Sequence, residues 1–259
     1  MSGELIALQG DADDHMAALV RAAATVATHA GVPVAVIGGL AVMCRLSTAH
    51  RATADVDFVS EDPEEVSVVG SPMQNLLAAK VVDDHPVPQP GRVFVRGTKV
   101  EIIETAPLSA QAASGIEPDS DRLFVLAHRW ALETATPCTV TVTGSDAQAT
   151  VPVATVAALI AMKLNAFRVR MDERKRASDA WDVYRLLKVH GSRPELAAMF
   201  STAPDGLCDL VRDAITHAFL IDVLRTRQRV QVYGDPAWSD VMTEEALQDL
   251  AEELSVTLS

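Results

Sequence analysis

The longest nearly apolar run of this chain, Gly31 to Cys44, is broken in two places, and the breaks decide what it can become. It is shorter than the about 20 residues a membrane-spanning helix needs. Pro33 and the pair Gly38-Gly39 divide it. Pro33 to Ile37 then reads as a short buried strand, Gly38-Gly39 as a turn, and Leu40 to Leu46 as a helix. Glycines between a strand and a helix let backbone N–H groups approach a phosphate at the positive end of the helix. A plain tight turn would use the same residues.

The flanking segments point to a sheet with helices. Met16, Leu19, Val20, Ala23 and Val26 keep helical spacing, with Asp13 or Asp14 as cap and Gly31 as stop. Ala54 to Val59 alternates acidic and apolar residues, the period of a strand. Pro72 to Lys80 reads as a helix, Arg92 to Val95 and Lys99 to Ile103 as a hairpin around Gly97, and Cys138 to Val142 as a strand. Ser109 to Thr136 carries no clear pattern. From Val153 onward the pattern is helical: a long helix to about Arg170, another over Ser178 to Val189, and a last one capped by Thr243 with Leu247, Leu250, Ala251 and Leu254 as its apolar stripe. The fold class implied is α+β, a mixed-sheet domain over residues 1–150 followed by an all-helical half over 151–259.

Composition narrows the function classes. With 259 residues, 49% hydrophobic, the chain can bury a real core. The acidic stretch Met1 to Asp14 has no basic-then-apolar leader pattern, so a soluble, cytoplasmic protein with no membrane partner is expected. The three cysteines are scattered, which argues against disulfides and against a zinc cluster. Cys44 and Cys208 sit in apolar helical patterns and read as small buried hydrophobes. The seven histidines show no metal-ligand spacing. A net charge of −13 argues against non-specific coating of nucleic acid. Within that acidic chain, Arg168 to Lys188 is basic on balance.

Two clusters carry chemistry. Asp55 and Asp57, one residue apart on a strand, point to the same face and repel each other unless a cation intervenes. Hard oxygen ligands at that spacing suit Mg²⁺, which completes its shell with waters and phosphates. An isolated Asp-x-Asp would more often be an exposed acidic strand. Here the Gly38-Gly39 turn lies upstream, and Glu101 on the second arm of the hairpin offers a third carboxylate. Glu101 is either a buried metal ligand or an edge-strand charge facing solvent. Arg51, just ahead, can pair with a carboxylate or a phosphate. In the helical half, Lys163 interrupts an otherwise apolar helix and shares a face with Arg170, while Asp179 and Asp182 share a face of the next helix. This second cluster either staples the two helices or brings Lys163 and Arg170 to a triphosphate.

These strings occur in an order that resembles a known family. Ile37-Gly38-Gly39-Leu40-Ala41, then Arg51-Ala52-Thr53-Ala54-Asp55-Val56-Asp57, then Lys163-Leu164-Asn165-Ala166 with Arg170, then Ser178-Asp179 with Asp182, resemble the AbiEii/AbiGii toxin-type nucleotidyltransferases. These are toxin halves of bacterial toxin–antitoxin systems, a group that includes the MenT-type toxins. The resemblance runs from Pro33 to Leu187. It implies a nucleotidyltransferase fold whose helical half completes the active-site cleft. It also implies that Gly38 and Gly39 open the nucleotide-binding helix, that Asp55 and Asp57 hold Mg²⁺, that Lys163 contacts the nucleotide phosphates, and that Asp179 is required for activity. Asp182 matches the second acidic position of the last motif.

The reaction so implied moves a nucleoside monophosphate from an NTP to an acceptor hydroxyl, with Mg²⁺ as cofactor and pyrophosphate leaving. A tRNA 3′ end is often the acceptor in characterised relatives and suits the basic stretch; a cognate antitoxin is the implied protein partner. Three departures stand out. Gly39 replaces the serine that many members of the fold place after the first glycine. Ser178 stands where the family usually has a basic residue. Glu101 is longer than the usual third aspartate. The rival readings are nucleotidylation of a small cationic compound such as an antibiotic, nucleotidylation of a protein, and a non-catalytic binding module of the same fold.

Overall fold

The computed structural model describes residues 4–10, 14–62, 71–83, 91–106 and 109–259. They fall into two compact units, one within 1–107 and 131–155, the other within 108–130 and 156–259. Residues 109–130, which carry no clear pattern as sequence, therefore belong with the helices.

The first unit is built on a seven-stranded mixed sheet in the order β1-β6-β7-β2-β3-β5-β4. The strands are β1 (Glu4–Gln9), β2 (Val34–Ile37), β3 (Asp55–Glu61), β4 (Arg92–Val95), β5 (Thr98–Thr105), β6 (Thr136–Thr143) and β7 (Gln148–Val153). All four residues of β2 are buried, as its unbroken apolar run requires of a central strand. β3 lies between β2 and β5, antiparallel to the first and parallel to the second. Its Val56 and Phe58 are fully buried, while Asp55 and Asp57 alternate with them and stay half-buried.

Helix α1 (His15–His29) lies along the sheet with Leu19, Val20, Ala23 and Val26 inward. Asp14 occupies its N-cap position without making the capping bond. Its carboxylate is instead engaged by Arg21, at 3.0 Å; Asp13 lies outside the described residues. Helix α2 (Gly38–Leu46) follows β2 directly and starts at the glycine pair. The half-buried Arg45 ties it to the sheet, donating to the carbonyls of Ala154 at 2.8 Å and Val153 at 2.6 Å, and to Thr136 Oγ1 at 2.7 Å. Helix α3 (Pro72–Ala78) starts on a reciprocal cap: Ser71 Oγ accepts from the Gln74 amide, and Gln74 Oε1 accepts from the Ser71 amide.

Two strands escape the sequence pattern. β1 lies at the sheet edge, and among the described residues it pairs with β6 alone. β7 alternates correctly, with Ala149, Val151 and Val153 buried, but it runs into the long apolar helix that follows. The helix expected from Val153 consequently begins three residues later, because Val153 pairs in the ladder with Val36 and Thr136.

The second unit is helical: α4 (Ala110–Ser114), α5 (Asp119–Glu133), α6 (Val156–Val169), α7 (Glu173–His190), α8 (Pro194–Phe200), α9 (Leu207–Ile215) running on through a π-helical turn over Thr216–Ile221, α10 (Val223–Tyr233), α11 (Pro236–Val241) and α12 (Glu244–Thr257). The last three residues of α5 count with the sheet unit. α7 begins more than a turn earlier than the apolar pattern indicates, because Asp172 caps it by accepting from the amides of Arg174 at 2.9 Å and Lys175 at 3.1 Å. Thr243 caps α12 by accepting from Ala246, and the stripe Leu247, Leu250, Ala251 and Leu254 is buried. Cys44 and Cys138 are buried thiols and Cys208 is half-buried, all three unpaired by disulfides. No helix among the described residues is long and apolar enough to cross a membrane.

Candidate active site

The parallel pairing of β3 with β5 sets Asp55 opposite Lys99 and Asp57 opposite Glu101. The period of two then places all four side chains on one face of the sheet. Carboxylate oxygens of Asp55, Asp57 and Glu101 lie within 4.8 Å of one another. The two aspartates and Glu101, far apart in the chain, are thus one cluster.

Glu101 is not the buried carboxylate its apolar neighbours suggest. Its side chain is 31% exposed, and β5 is covered on its outer side by β4. Two cations hold it. Lys99 Nζ lies 2.9 Å from Glu101 Oε1 and 2.9 Å from Asp55 Oδ2. Arg92, opposite Glu101 on β4, donates to the same Oε1 from Nε at 2.8 Å and from its terminal nitrogen at 2.5 Å. Partial burial disfavours the charged form of Glu101, but the hydrogen bonds and charge of Lys99 and Arg92 outweigh it and hold the carboxyl below its ordinary range. Burial likewise opposes the charge on Lys99, and its bonds to Glu101 and Asp55 overcome that and raise its pKa. Lys99 was hidden in the sequence although Lys99-x-Glu101 repeats the one-residue spacing of Asp55-x-Asp57; attention to apolar neighbours passes over it.

The glycine pair abuts this cluster. Gly38 has φ +68°, and a methyl group there would stand 1.9 Å from Asp57 Oδ2. The Asp57 carboxylate therefore rests against backbone that only glycine provides. A methyl on Gly39 would meet Thr53 Oγ1 at 2.7 Å and the Arg51 guanidinium at 3.1 Å. Thr53 fills the space left by the missing side chain, and its hydroxyl stays within 3.4 Å of Asp55 Oδ1. Arg51 also donates to the Ala52 carbonyl at 2.9 Å. The start of α2, Arg51, Thr53 and the carboxylates are one locality of the sheet unit. All ligand atoms offered here are hard oxygens, the set that suits a small divalent cation.

The other cluster lies wholly in the helical unit. Lys163 on α6 is buried, with its ammonium 3.0 Å from Asp179 Oδ1 and 2.8 Å from Asp182 Oδ2 on α7. Both carboxylates are fully buried. Arg170 approaches the second Asp179 oxygen at 3.1 Å, and its side chain is 42% exposed. The four residues form the helix-to-helix network that their spacing suggested, with one cation enclosed and one at its surface. Arg176, counted in the basic stretch, is a structural residue: it donates to the Phe167 carbonyl at 2.8 Å, pairs with Glu173 at 3.1 Å, and stacks over the Phe167 ring. Arg174 and Lys175 are exposed.

A mixed sheet presenting an Asp-x-Asp pair and a third carboxylate beside a Gly-Gly helix start has the layout expected of a nucleotidyltransferase-type site. The family model for the nucleotidyl transferase AbiEii toxin of type IV toxin–antitoxin systems matches residues 21–205, and the chain belongs to that family. The match covers the glycine pair, the carboxylates and the Lys163–Asp182 network. The protein is a nucleotidyltransferase whose family implies an NTP substrate and an antitoxin partner. No curated protein matches the sequence.

Proposed function

We propose that this protein is a growth-inhibiting, Mg²⁺-dependent enzyme of the cytoplasm that transfers a nucleoside monophosphate from an NTP to a tRNA 3′ end. The observation that carries the reading is the convergence of Asp55, Asp57 and Glu101 beside a helix start whose glycines leave room for the Asp57 carboxylate. The Asp55 and Asp57 donors fit Mg²⁺: both offer carboxylate oxygens, and the cluster around them already attracts a cationic side chain. When bound, Mg²⁺ would offset triphosphate charge and hold the phosphates in line for attack.

The remaining roles fall to the chain itself. Asp55 and Asp57 would hold the metal. The Gly38 and Gly39 amides at the start of α2 would donate to phosphate oxygens, with Arg51 alongside as a charged donor. The Lys163–Asp179–Asp182 network would fix Arg170, its exposed member, as a candidate donor to an anion. Lys163, enclosed by two carboxylates, supports that geometry. The acceptor reading rests on the basic residues around Arg174 and Lys175, since a tRNA brings many phosphates to an otherwise acidic protein.

Growth of cells expressing the wild-type chain without a partner, set against cells expressing Asp57→Ala, tests the reading. Arrest by the wild type alone, with tRNA extended at its 3′ end, is expected. A harmless wild type that is inert on every tRNA but nucleotidylates a small cationic hydroxyl compound would favour an antibiotic-modifying enzyme instead.

A further inference from the structure

Two-metal phosphoryl-transfer sites set their ions about 3.5–4 Å apart, between shared carboxylates. In this protein that kind of position is filled by a side chain. Lys99 Nζ stands between Asp55 Oδ2 and Glu101 Oε1, 2.9 Å from each. We propose that Lys99 takes the place of a second divalent cation, so that the site holds a single metal on Asp55 and Asp57 with a fixed ammonium beside it. The proposal rests on the metal-dependent reading given above and deepens it.

Three observations support it. The first is register: β3 and β5 pair so that Lys99 is directly opposite Asp55, and the ammonium reaches the carboxylates from its own strand without displacing any of them. The second is the state of Glu101. Three nitrogens, Lys99 Nζ and the Nε and one terminal nitrogen of Arg92, converge on its Oε1. A carboxylate oxygen so supplied is a poor ligand for another cation. The third is charge. The three carboxylates carry three negative charges, and Lys99 and Arg92 return two positive ones. The remainder, one negative charge, is already exceeded by one divalent ion and leaves nothing to balance a second. A second ion at Glu101 would have to sit against the ammonium, and charges of the same sign at such distances repel strongly when partly shielded from water.

This arrangement differs from a lysine that merely fills a metal site and swings out when the ions arrive. In that case two ions bind and Lys99 is dispensable for metal stoichiometry. Mn²⁺ alone, titrated into the purified full chain and counted by the electron paramagnetic resonance of the free ion, separates the two. Wild type and Lys99→Arg are expected to bind one Mn²⁺ per chain. Lys99→Gln is expected to bind a second, or to bind the first about tenfold more tightly, because the opposing charge is gone. Glu101→Gln should keep the single site within about threefold, since Glu101 is held by Lys99 and Arg92. Circular dichroism checks that each variant is folded. Two ions in the wild type, or a Lys99→Gln chain indistinguishable from it, would overturn the proposal while leaving a metal-dependent enzyme. Loss of the site in Glu101→Gln would overturn it as well, by making Glu101 a ligand. A wild type that binds no Mn²⁺, with Asp57→Asn no different, removes the metal reading itself and the proposal with it.

Discussion

At Gly38 the backbone conformation and the space available both exclude a side chain. Gly38→Ala would place a methyl group against the Asp57 carboxylate and force a residue with a Cβ into φ +68°. The expected cost is about 1–3 kcal/mol of stability together with loss of transfer, because the displaced carboxylate is the one assigned to the metal. Asp57→Ala isolates the second effect. It relieves repulsion between neighbouring carboxylates, so its melting temperature without metal should hold or rise slightly while transfer is lost; a variant that unfolds would make Asp57 structural. Glu101 supplies a pH dependence. Its folded pKa is depressed, so its ion pairs stabilise the fold above the ordinary glutamate value near 4.5, and that contribution is lost as pH falls through the lower folded value. The stability difference between wild type and Glu101→Gln, followed by urea titration, should be constant at neutral pH and shrink only below about pH 4.5. A difference that instead grows with acid would contradict the assignment.

Between elements, the α6–α7 network and the buried His128 make separate demands. Lys163→Ala leaves Asp179 and Asp182 buried without their shared ammonium, and a loss of about 3–5 kcal/mol is expected. Arg170→Ala, at the exposed end, should cost far less. A double-mutant cycle in stability between Lys163 and Asp179 should give a large coupling; coupling near zero with activity lost would return Lys163 to a phosphate-binding role. His128 on α5 donates from Nδ1 to the Phe124 carbonyl at 2.6 Å and is buried. Burial pushes its pKa down to about 4. The folded state therefore binds fewer protons than the unfolded one between about pH 6.5 and 4, and stability falls across that window as pH drops, by about 3 kcal/mol. Elements of this kind were unevenly legible. Helices with caps and stripes, such as α12, and strands with strict alternation, such as β3, declare themselves by local pattern. β1 and β7 do not: one is an edge strand that buries just Ile6 and Leu8, and the other merges with the apolar start of α6. In the site, Asp55, Asp57, Gly38 and Gly39 stand out by their combination and order along the chain, since neither pair marks a site by itself. Lys99 and Thr53 matter because β3, β5 and the start of α2 meet in three dimensions, a relation that strand pairing creates and linear spacing does not display.

For the whole molecule, the net charge of −13 and the exposed Arg174 and Lys175 make opposite demands on a polyanionic acceptor. If tRNA is the acceptor, reversing Arg174 and Lys175 together should weaken its modification and flatten its salt dependence without lowering the melting temperature. Arg176 is unsuitable for that test, since its contacts with Phe167 and Glu173 are structural. Unchanged salt dependence would place the acceptor elsewhere. The central claim is nucleotidyl transfer at the Asp55–Asp57 site, and the fate of each phosphate tests it most directly. The purified chain would be incubated with Mg²⁺, total tRNA and each NTP labelled in turn at the α or the γ phosphate. Transfer by this site predicts α-label on the tRNA 3′ end and γ-label in pyrophosphate, both lost on adding a chelator and both absent with Asp57→Ala. Gamma-label on the acceptor, or undiminished transfer by Asp57→Ala, would contradict it.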